Sequence, residues 1–275
     1  MSALKNHQLY YDTDCPLCVA YTGAMEKHHL LATGTRTPFQ QISPQTLVHI
    51  DAKRAISEIA LRNLQNGKVH YGIDAMLQIL FRENPFLMKL FKRKPLYFLL
   101  KHLYGFISYN RKVIAPAPAE TGQIACVPPL RKSYRLAYIA FVFVLSSIVL
   151  TNYYGHLDTW MGLNTFPLRE WYSCAGQLIW QGLALYLFVP SGRRWDYIGN
   201  MITVSLIGTL LLLPVLWLGN LFGLPPAYHF AGFMGVVVFM LWEHMRRVRL
   251  LKMPGWLSAS WVLYRMVWAA GQLFL

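Results

Sequence analysis

Charge is scarce in this chain. Asp, Glu, Lys and Arg make up 14% of its 275 residues, against roughly 25% in an ordinary soluble domain. With 55% of residues hydrophobic, so little charge cannot cover so much apolar side chain, which argues against a purely soluble enzyme. Acidic residues are scarcest: 12 against 26 Lys and Arg, a formal net charge of +14. A strongly basic chain points to nucleic acid or to an anionic membrane surface. Cysteine is sparse too. Cys15 and Cys18 form one close pair, while Cys126 and Cys174 are scattered, which is not the layout of a disulfide framework. No secretory signal is expected, because Met1 to Gln8 is polar and no apolar run of signal length follows. Internal repeats, low-complexity tracts, Gly-rich phosphate loops, Ser-His-Asp arrangements and nucleic-acid motifs are all missing. The composition also excludes intrinsic disorder and collagen-like chains. What is abundant is aromatic: 15%, with nine Trp.

Two regions of different character follow from the pattern. Residues 1–115 read as a small α/β domain. Gln8 to Tyr11 is a strand candidate, and Cys15 to about Leu31 a helix with Pro16 in its first turn. Arg36 to Ile42 is a second strand candidate. Glu58 to Asn63 and Lys68 to Tyr71 flank Gln65-Asn66-Gly67, and Asn-Gly is the strongest short hairpin signal. Ile73, Met76, Leu77 and Leu80 recur at helical period, and Phe86 to Phe91 and Leu96 to Tyr109 read as further helices. Residues 116–134, with Pro116, Pro118, Gly122, Pro128 and Pro129, read as a linker.

Past Tyr134 the chain changes solvent. A transmembrane helix needs about 20 mostly apolar residues. Five segments qualify on this reading: about 135–154, 172–190, 197–221, 226–243 and 256–275. The third contains Pro214 and is expected to kink. Residues 135–275 are therefore expected to form an all-α bundle of about five spans. Basic residues cluster before the first span, at Arg193 and Arg194 after the second, and at Arg246, Arg247, Arg249 and Lys252 after the fourth. By the positive-inside rule this puts the first domain in the cytoplasm and Leu275 near the outer surface of an inner, multi-pass membrane. The placement of the bases thus favours lipid over nucleic acid. The basic helices of residues 86–112 read either as lying against anionic headgroups or as a solvated face.

The chemical motif is Asp12-Thr13-Asp14-Cys15-Pro16-Leu17-Cys18. Cys15 falls at a helix start, where unpaired N–H groups and the helix dipole favour a thiolate. Cys18 lies one turn along the same face, within reach to resolve a mixed disulfide. Asp12 and Asp14 oppose thiolate formation. Asp14 is a candidate helix cap; Asp12 is either a proton relay for Cys18 or an Asx-type turn former. A metal site competes with the redox reading, but zinc wants four ligands. His28 and His29 lie too far along the helix to share one with both sulfurs.

These residues resemble the DCC family of thiol-disulfide oxidoreductases, named for Asp-x-x-Cys-x-x-Cys; Asp12, Cys15 and Cys18 fill its three positions. The likeness continues through Asn66-Gly67-Lys68-Val69, Gly72-Ile73-Asp74-Ala75 and Tyr109-Asn110-Arg111, over roughly residues 7–115. It implies a thioredoxin-like fold and dithiol chemistry with no cofactor beyond the cysteine pair. Two positions depart from the family pattern: Thr13 stands where Gly is usual, and residues 52–60 hold no Pro.

In the second region Arg265 is a charged residue near mid-span, a functional candidate by default. It reads as an anion or quinone-like headgroup site, as the partner of a carboxylate such as Glu243, or as a structural interhelical hydrogen bond. Gln177, Gln181 and Asn200 read as helix–helix glue, Cys174 as packing, and His156, His229 and His244 as interfacial. The expected function is a membrane-tethered thiol-disulfide oxidoreductase acting on a protein or small-molecule thiol, with Cys15 attacking, Cys18 resolving and Asp12 assisting. The alternative is a membrane assembly, transport or interaction protein whose first domain binds a partner or a soft metal.

Overall fold

The structure is a computed structural model that describes residues 4–118, 126–162 and 166–274. The chain divides into two compact units, Met1–Arg135 and Leu136–Leu275. Of the expected 116–134 linker, residues 119–125 lie outside the described residues, as does Leu275.

In the first unit a four-stranded mixed sheet has the order β2-β1-β3-β4. Strand β1 (His7–Tyr11) runs parallel to β2 (Arg36–Pro38) and antiparallel to β3 (Ala60–Asn63), with Leu9 opposite Arg36 on one side and Leu61 on the other. Alternation along β1 supplies a core on each face. Leu9 and Tyr11 pack with Cys15, Cys18, Met25, Ile59, Leu61 and Ile79, whereas Tyr10 packs with Phe39, Ile42, Ala60 and Cys126. β2 is shorter than its sequence suggests. Pro38 has no N–H to continue a ladder, and the chain turns into a 3₁₀ segment, Phe39–Gln41.

Helix α1 (Pro16–Lys27) follows β1 directly. Two short helices, α2 (Pro44–Leu47) and α3 (Ala52–Ala55), precede β3, which pairs with β4 (Val69–Tyr71) as the expected hairpin. Its turn is closed by side chains. Asn63 Oδ1 accepts from the N–H groups of Gln65 and Asn66, and Asn66 Oδ1 from that of Lys68, while Gly67 takes φ +70°. Gly72 opens α4 (Gly72–Phe81) at φ +54°, and a Cβ there would meet the Glu58 carboxylate at 2.8 Å. Only glycine fits both conditions. Of the expected stripe Ile73, Met76, Leu77 and Leu80, Leu77 is buried and Met76 packs against the core, while Ala75 and Ile79 are buried beside them, because this helix is apolar nearly all round and also meets α5 (Pro85–Phe91) and α6 (Lys94–Ile114).

The second unit is helical: α7 (Lys132–Tyr154, beginning in the first unit), α8 (Asp158–Met161), α9 (Arg169–Phe188), α10 (Ser191–Phe222), α11 (Pro226–Leu250) and α12 (Trp256–Phe274). Each expected apolar segment coincides with a long helix, and α10 runs through Pro214 without a break. Two of them, α7 and α10, are long and apolar enough to cross a membrane. The other three carry polar and charged residues within the helix: Glu170, Gln177 and Gln181 in α9, Glu243, His244, Arg246 and Arg247 in α11, and Arg265 in α12.

Candidate functional site

The cysteine pair sits where β1 hands over to α1. Cys15 is the N-cap, with extended backbone (φ −109°, ψ 105°), and Pro16 takes the first helical position. Its sulfur accepts the Cys18 N–H at 3.4 Å. The cap is therefore a thiol, not the Asp14 carboxylate. Asp14 is drawn back instead: its N–H donates to Asp12 Oδ1 at 3.0 Å, closing an Asx-type turn one residue before the helix.

Asp12 is 4% exposed, and both of its oxygens are engaged. Oδ1 also accepts from Gln40 Nε2 at 2.8 Å. Oδ2 meets Arg111 Nη2 at 2.9 Å, with Lys112 Nζ at 3.7 Å. Arg111 comes from α6, 99 positions away in the chain, and is itself 4% exposed. Besides Asp12 its guanidinium donates to the carbonyls of Ile56, Ser57 and Cys126 at 2.9, 3.3 and 3.2 Å. Ser108 also donates to the Ser57 carbonyl, and the Tyr104 hydroxyl accepts the Ile59 N–H at 3.1 Å. One face of α6 thus ties down the loop before β3. A guanidinium offers donors in a fixed planar fork, which suits a cluster of carboxylate and carbonyl oxygens better than an ammonium would.

The two thiols are pushed apart in acidity. The hydrogen bond from Cys18 holds the Cys15 thiol down to about 6 against the opposing effect of burial, helped by the Cys18 N–H and the Arg111 charge; Asp12 works against it. Cys18 is raised, first by its hydrogen bond to Cys15 and then by burial. Separated acidities in a dithiol assign the nucleophile to the more acidic sulfur. Both sulfurs are buried, at 0% and 3% exposure, although Pro16 and Val19 on the adjoining turn are exposed. Tyr21 Oη lies 3.9 Å from the Cys18 sulfur.

Of the residues singled out from sequence, Asp12, Cys15 and Cys18 converge. Arg111, Gln40 and Cys126 join them and were not foreseen as a group. Arg111 was read only as one base in a topology signal and as part of Tyr109-Asn110-Arg111. Cys126 lies outside regular structure yet is fully buried, and burial pushes its thiol up to about 12. Among the described residues, no group of three or more His, Cys, Asp or Glu is arranged to hold a metal ion.

In the second unit Arg265 Nη1 donates to Ser173 Oγ at 3.0 Å, across from α12 to α9. Glu243 is not its partner: that carboxylate takes Arg246 and Arg247, three and four residues along its own helix, at 2.6 and 2.7 Å. Asn200 fulfils the glue role, accepting from Arg247 at 3.0 Å. Gln181 does so on one side only, through Tyr197, and Gln177 makes no such bond among the described residues. His229 and His244 are buried within the unit. His229 stacks on His156, and His244 bonds Tyr197 and Ser258.

Residues 9–115 match the family described as DCC1-like thiol-disulfide oxidoreductase. Comparison with curated proteins finds no match. Comparison with solved structures finds none either.

Proposed function

We propose that the chain is a membrane-tethered thiol-disulfide oxidoreductase in which Cys15 attacks and Cys18 resolves. The observation that carries this reading is the placement of Cys15. Its sulfur caps α1, accepts the Cys18 N–H and has its acidity increased, within the segment that matches an oxidoreductase family.

The Cys15 thiolate attacks a substrate disulfide, forming a mixed disulfide and releasing the first substrate thiolate. That step removes the Cys15 charge and its hydrogen bond, the two influences from Cys15 that raise Cys18. Arg111 then favours ionisation of Cys18, whose proton passes to the departing thiolate. The Cys18 thiolate attacks Cys15 Sγ and releases the second substrate thiolate, which takes its proton from water. Two electrons have moved to the substrate, and the protein holds a Cys15–Cys18 disulfide until an external dithiol reduces it. Asp12 acts here as a positioning group. Held by Arg111 and two hydrogen bonds, it fixes the guanidinium in place. A thioredoxin-like fold is the natural reading of β-α-β followed by a hairpin and helix, with the dithiol at the first helix.

The tether is read from apolar surface. In α7 and α10 only 33% and 39% of the most apolar window is buried within the protein, so most of it faces outward, the reverse of a soluble core helix. The other three long helices complete a five-span bundle, with the first unit on the cytoplasmic side and the C-terminus outside. The first unit adds its own lipid contact. Phe98, Leu99, Leu103 and Ile107 are exposed along α6 and Phe86 on α5, flanked by Lys89, Lys92, Lys94 and Lys101. An exposed apolar stripe with a basic border suits an anionic bilayer surface.

Single replacements test the chemistry. Cys15→Ser abolishes reduction of a chromogenic aryl disulfide by the prereduced protein. Cys18→Ser accumulates the mixed disulfide, seen as an added mass. Full activity in both variants overturns the reading.

A further inference from the structure

Helices α9 and α12 are pinned antiparallel by two sets of hydrogen bonds. At one level Arg265 Nη1 reaches Ser173 Oγ at 3.0 Å and the Tyr264 hydroxyl reaches the Ser173 carbonyl at 2.9 Å. About two turns away, Trp180 Nε1 reaches the Ser260 carbonyl and hydroxyl at 3.2 and 2.9 Å. Ser173, Gln177 and Gln181 recur every four residues on α9, and Trp261 and Arg265 do so on α12. Each set shares a helix face. The pinned register therefore sets Gln177 at the level of Trp261, below the Arg265–Ser173 contact.

That layer holds polar atoms that no protein group satisfies. Gln177, Gln181 and Trp261 are 3%, 0% and 3% exposed. Both carboxamide atoms of Gln177, the Nε2 of Gln181 and the Nε1 of Trp261 have no hydrogen-bond partner among the described residues. Burial without a partner is strongly unfavourable for such groups. The remaining hydrogen bonds run one way. The Tyr197 hydroxyl donates to Gln181 Oε1 at 3.0 Å, so its contact with His244 Nε2 at 3.1 Å has the imidazole as donor; Nδ1 then accepts from the Ser258 hydroxyl at 3.0 Å. The chain ends on the Gln181 N–H groups, presented as donors. Arg265, half-buried, spends one donor on Ser173 and has no carboxylate partner among the described residues; Asp158 and Glu170, at the same end of α9, are both held by Arg169. Three unpartnered side-chain N–H sources thus outnumber the one unpartnered carboxamide oxygen, Gln177 Oε1, and the Arg265 guanidinium, which also contacts the Cys174 side chain and the Tyr264 ring, adds positive charge to the same pair of helices. Such a set matches a group that carries only acceptor oxygens and negative charge.

We propose that this face of α9 and α12 binds a carboxylate- or phosphate-bearing small molecule through Arg265 and the unpartnered groups of Gln177, Gln181 and Trp261. Nothing in the thiol chemistry of the first unit requires it, so it stands as a second site. The same chemistry is offered by a soluble anion and by the headgroup of an anionic lipid.

The test uses the full chain in nanodiscs, with thermal unfolding as the readout. Acetate and inorganic phosphate are titrated in zwitterionic lipid against chloride at equal ionic strength, and phosphatidylglycerol is titrated in a separate arm. A saturable rise of the midpoint is expected. A rise in zwitterionic lipid assigns a soluble anion, and a rise with phosphatidylglycerol alone assigns a headgroup. Trp261→Phe, which keeps a ring and removes one N–H, weakens the apparent affinity about ten-fold, and Arg265→Gln removes the response. Absence of a rise in every arm overturns the proposal, as does an unchanged response in both variants.

Discussion

Arg111 and Arg265 are two arginines drawn into the interior of their units under opposite conditions. Arg111 meets a carboxylate and three backbone carbonyls within its unit, and the carboxylate is in turn fixed by Gln40 and a backbone N–H. Arg265 meets a hydroxyl, a thiol and an aromatic ring but no carboxylate among the described residues, and Gln177 and Trp261 carry polar atoms without a partner among them. A buried ion pair with both charges partnered holds a shape. An unsaturated donor layer is ready to hold something else. The first unit therefore surrounds its two sulfurs with a charge pair that is mostly partnered, only Arg111 Nε and Asp14 Oδ1 of that cluster standing without a partner among the described residues, and the second leaves more of its donors open.

The largest expected effect separates the two arginines directly. Arg111→Met strands the Asp12 carboxylate and three carbonyls in a buried place, and removing one partner of a buried pair costs about 3–5 kcal/mol. Arg265→Met removes contacts to Ser173 and Cys174 without stranding a bonded carboxylate and costs about 1 kcal/mol. Urea unfolding of detergent-solubilised protein measures both. Arg111→Met combined with Asp12→Asn recovers part of the loss, because both charges leave together. Equal losses in the two arginine variants would erase the distinction.

Next comes acidity. Alkylation of Cys15 should fall about ten-fold per pH unit below a midpoint near 6 and level off above it, since only the thiolate reacts and its acidity is increased. Asp12→Asn moves that midpoint lower, because the carboxylate charge opposes the thiolate. An Asp12 acting as a proton relay would instead show itself in the second step, as slow release of the mixed disulfide with the midpoint unmoved. Arg111→Gln moves the midpoint up. A wild-type midpoint near 9 would remove Arg111 and the α1 cap from any part in activation.

How much of this was legible depends on the distance along the chain over which each piece is decided. The β1–α1 junction, the Asn66-Gly67 hairpin and the helix positions rest on residues a few places apart, and alternation and period display them. The dithiol was legible for the same reason. The Asp12–Arg111 pair was not, because 99 positions separate its halves, and a lysine- and arginine-rich stretch before a span reads as a topology signal whichever base turns inward. The cap was misassigned to Asp14 because carboxylates usually cap helices. Here the Asx turn draws Asp14 back and leaves the next residue's sulfur facing the Cys18 N–H. In the second unit composition located the helices, but which face of α9 meets α12 is set by packing, so Gln177 looked like glue.

Gln177 gives a smaller effect of opposite sign. Without ligand its carboxamide is buried and unsatisfied, so Gln177→Leu should stabilise the chain by about 1–2 kcal/mol in zwitterionic detergent. A similar replacement in the first unit, Gln40→Leu, removes a donor to Asp12 and should destabilise by about 1–2 kcal/mol. Chemical unfolding reads both signs. Destabilisation by Gln177→Leu would mean that the carboxamide has a partner in the folded chain, and the contrast between the units would narrow to the arginines alone.

The weakest expected effect concerns the lipid face of the first unit. All nine Trp of the chain lie between residues 160 and 268, so a fragment ending at Arg135 contains none. Leu103→Trp in that fragment therefore reports on α6 alone, once circular dichroism shows that the fragment folds. With vesicles containing phosphatidylglycerol its emission should shift to the blue and be quenched by brominated acyl chains. Each lysine near the surface contributes roughly 1 kcal/mol, so changing Lys94 and Lys101 to Gln should weaken binding about thirty-fold, and added salt should act in the same direction. Leu99→Ser should weaken it less steeply and without salt dependence, since apolar burial is not screened. Emission that stays red and unquenched with the folded fragment would leave α6 outside the bilayer interface, and the tether would rest on the spans of the second unit.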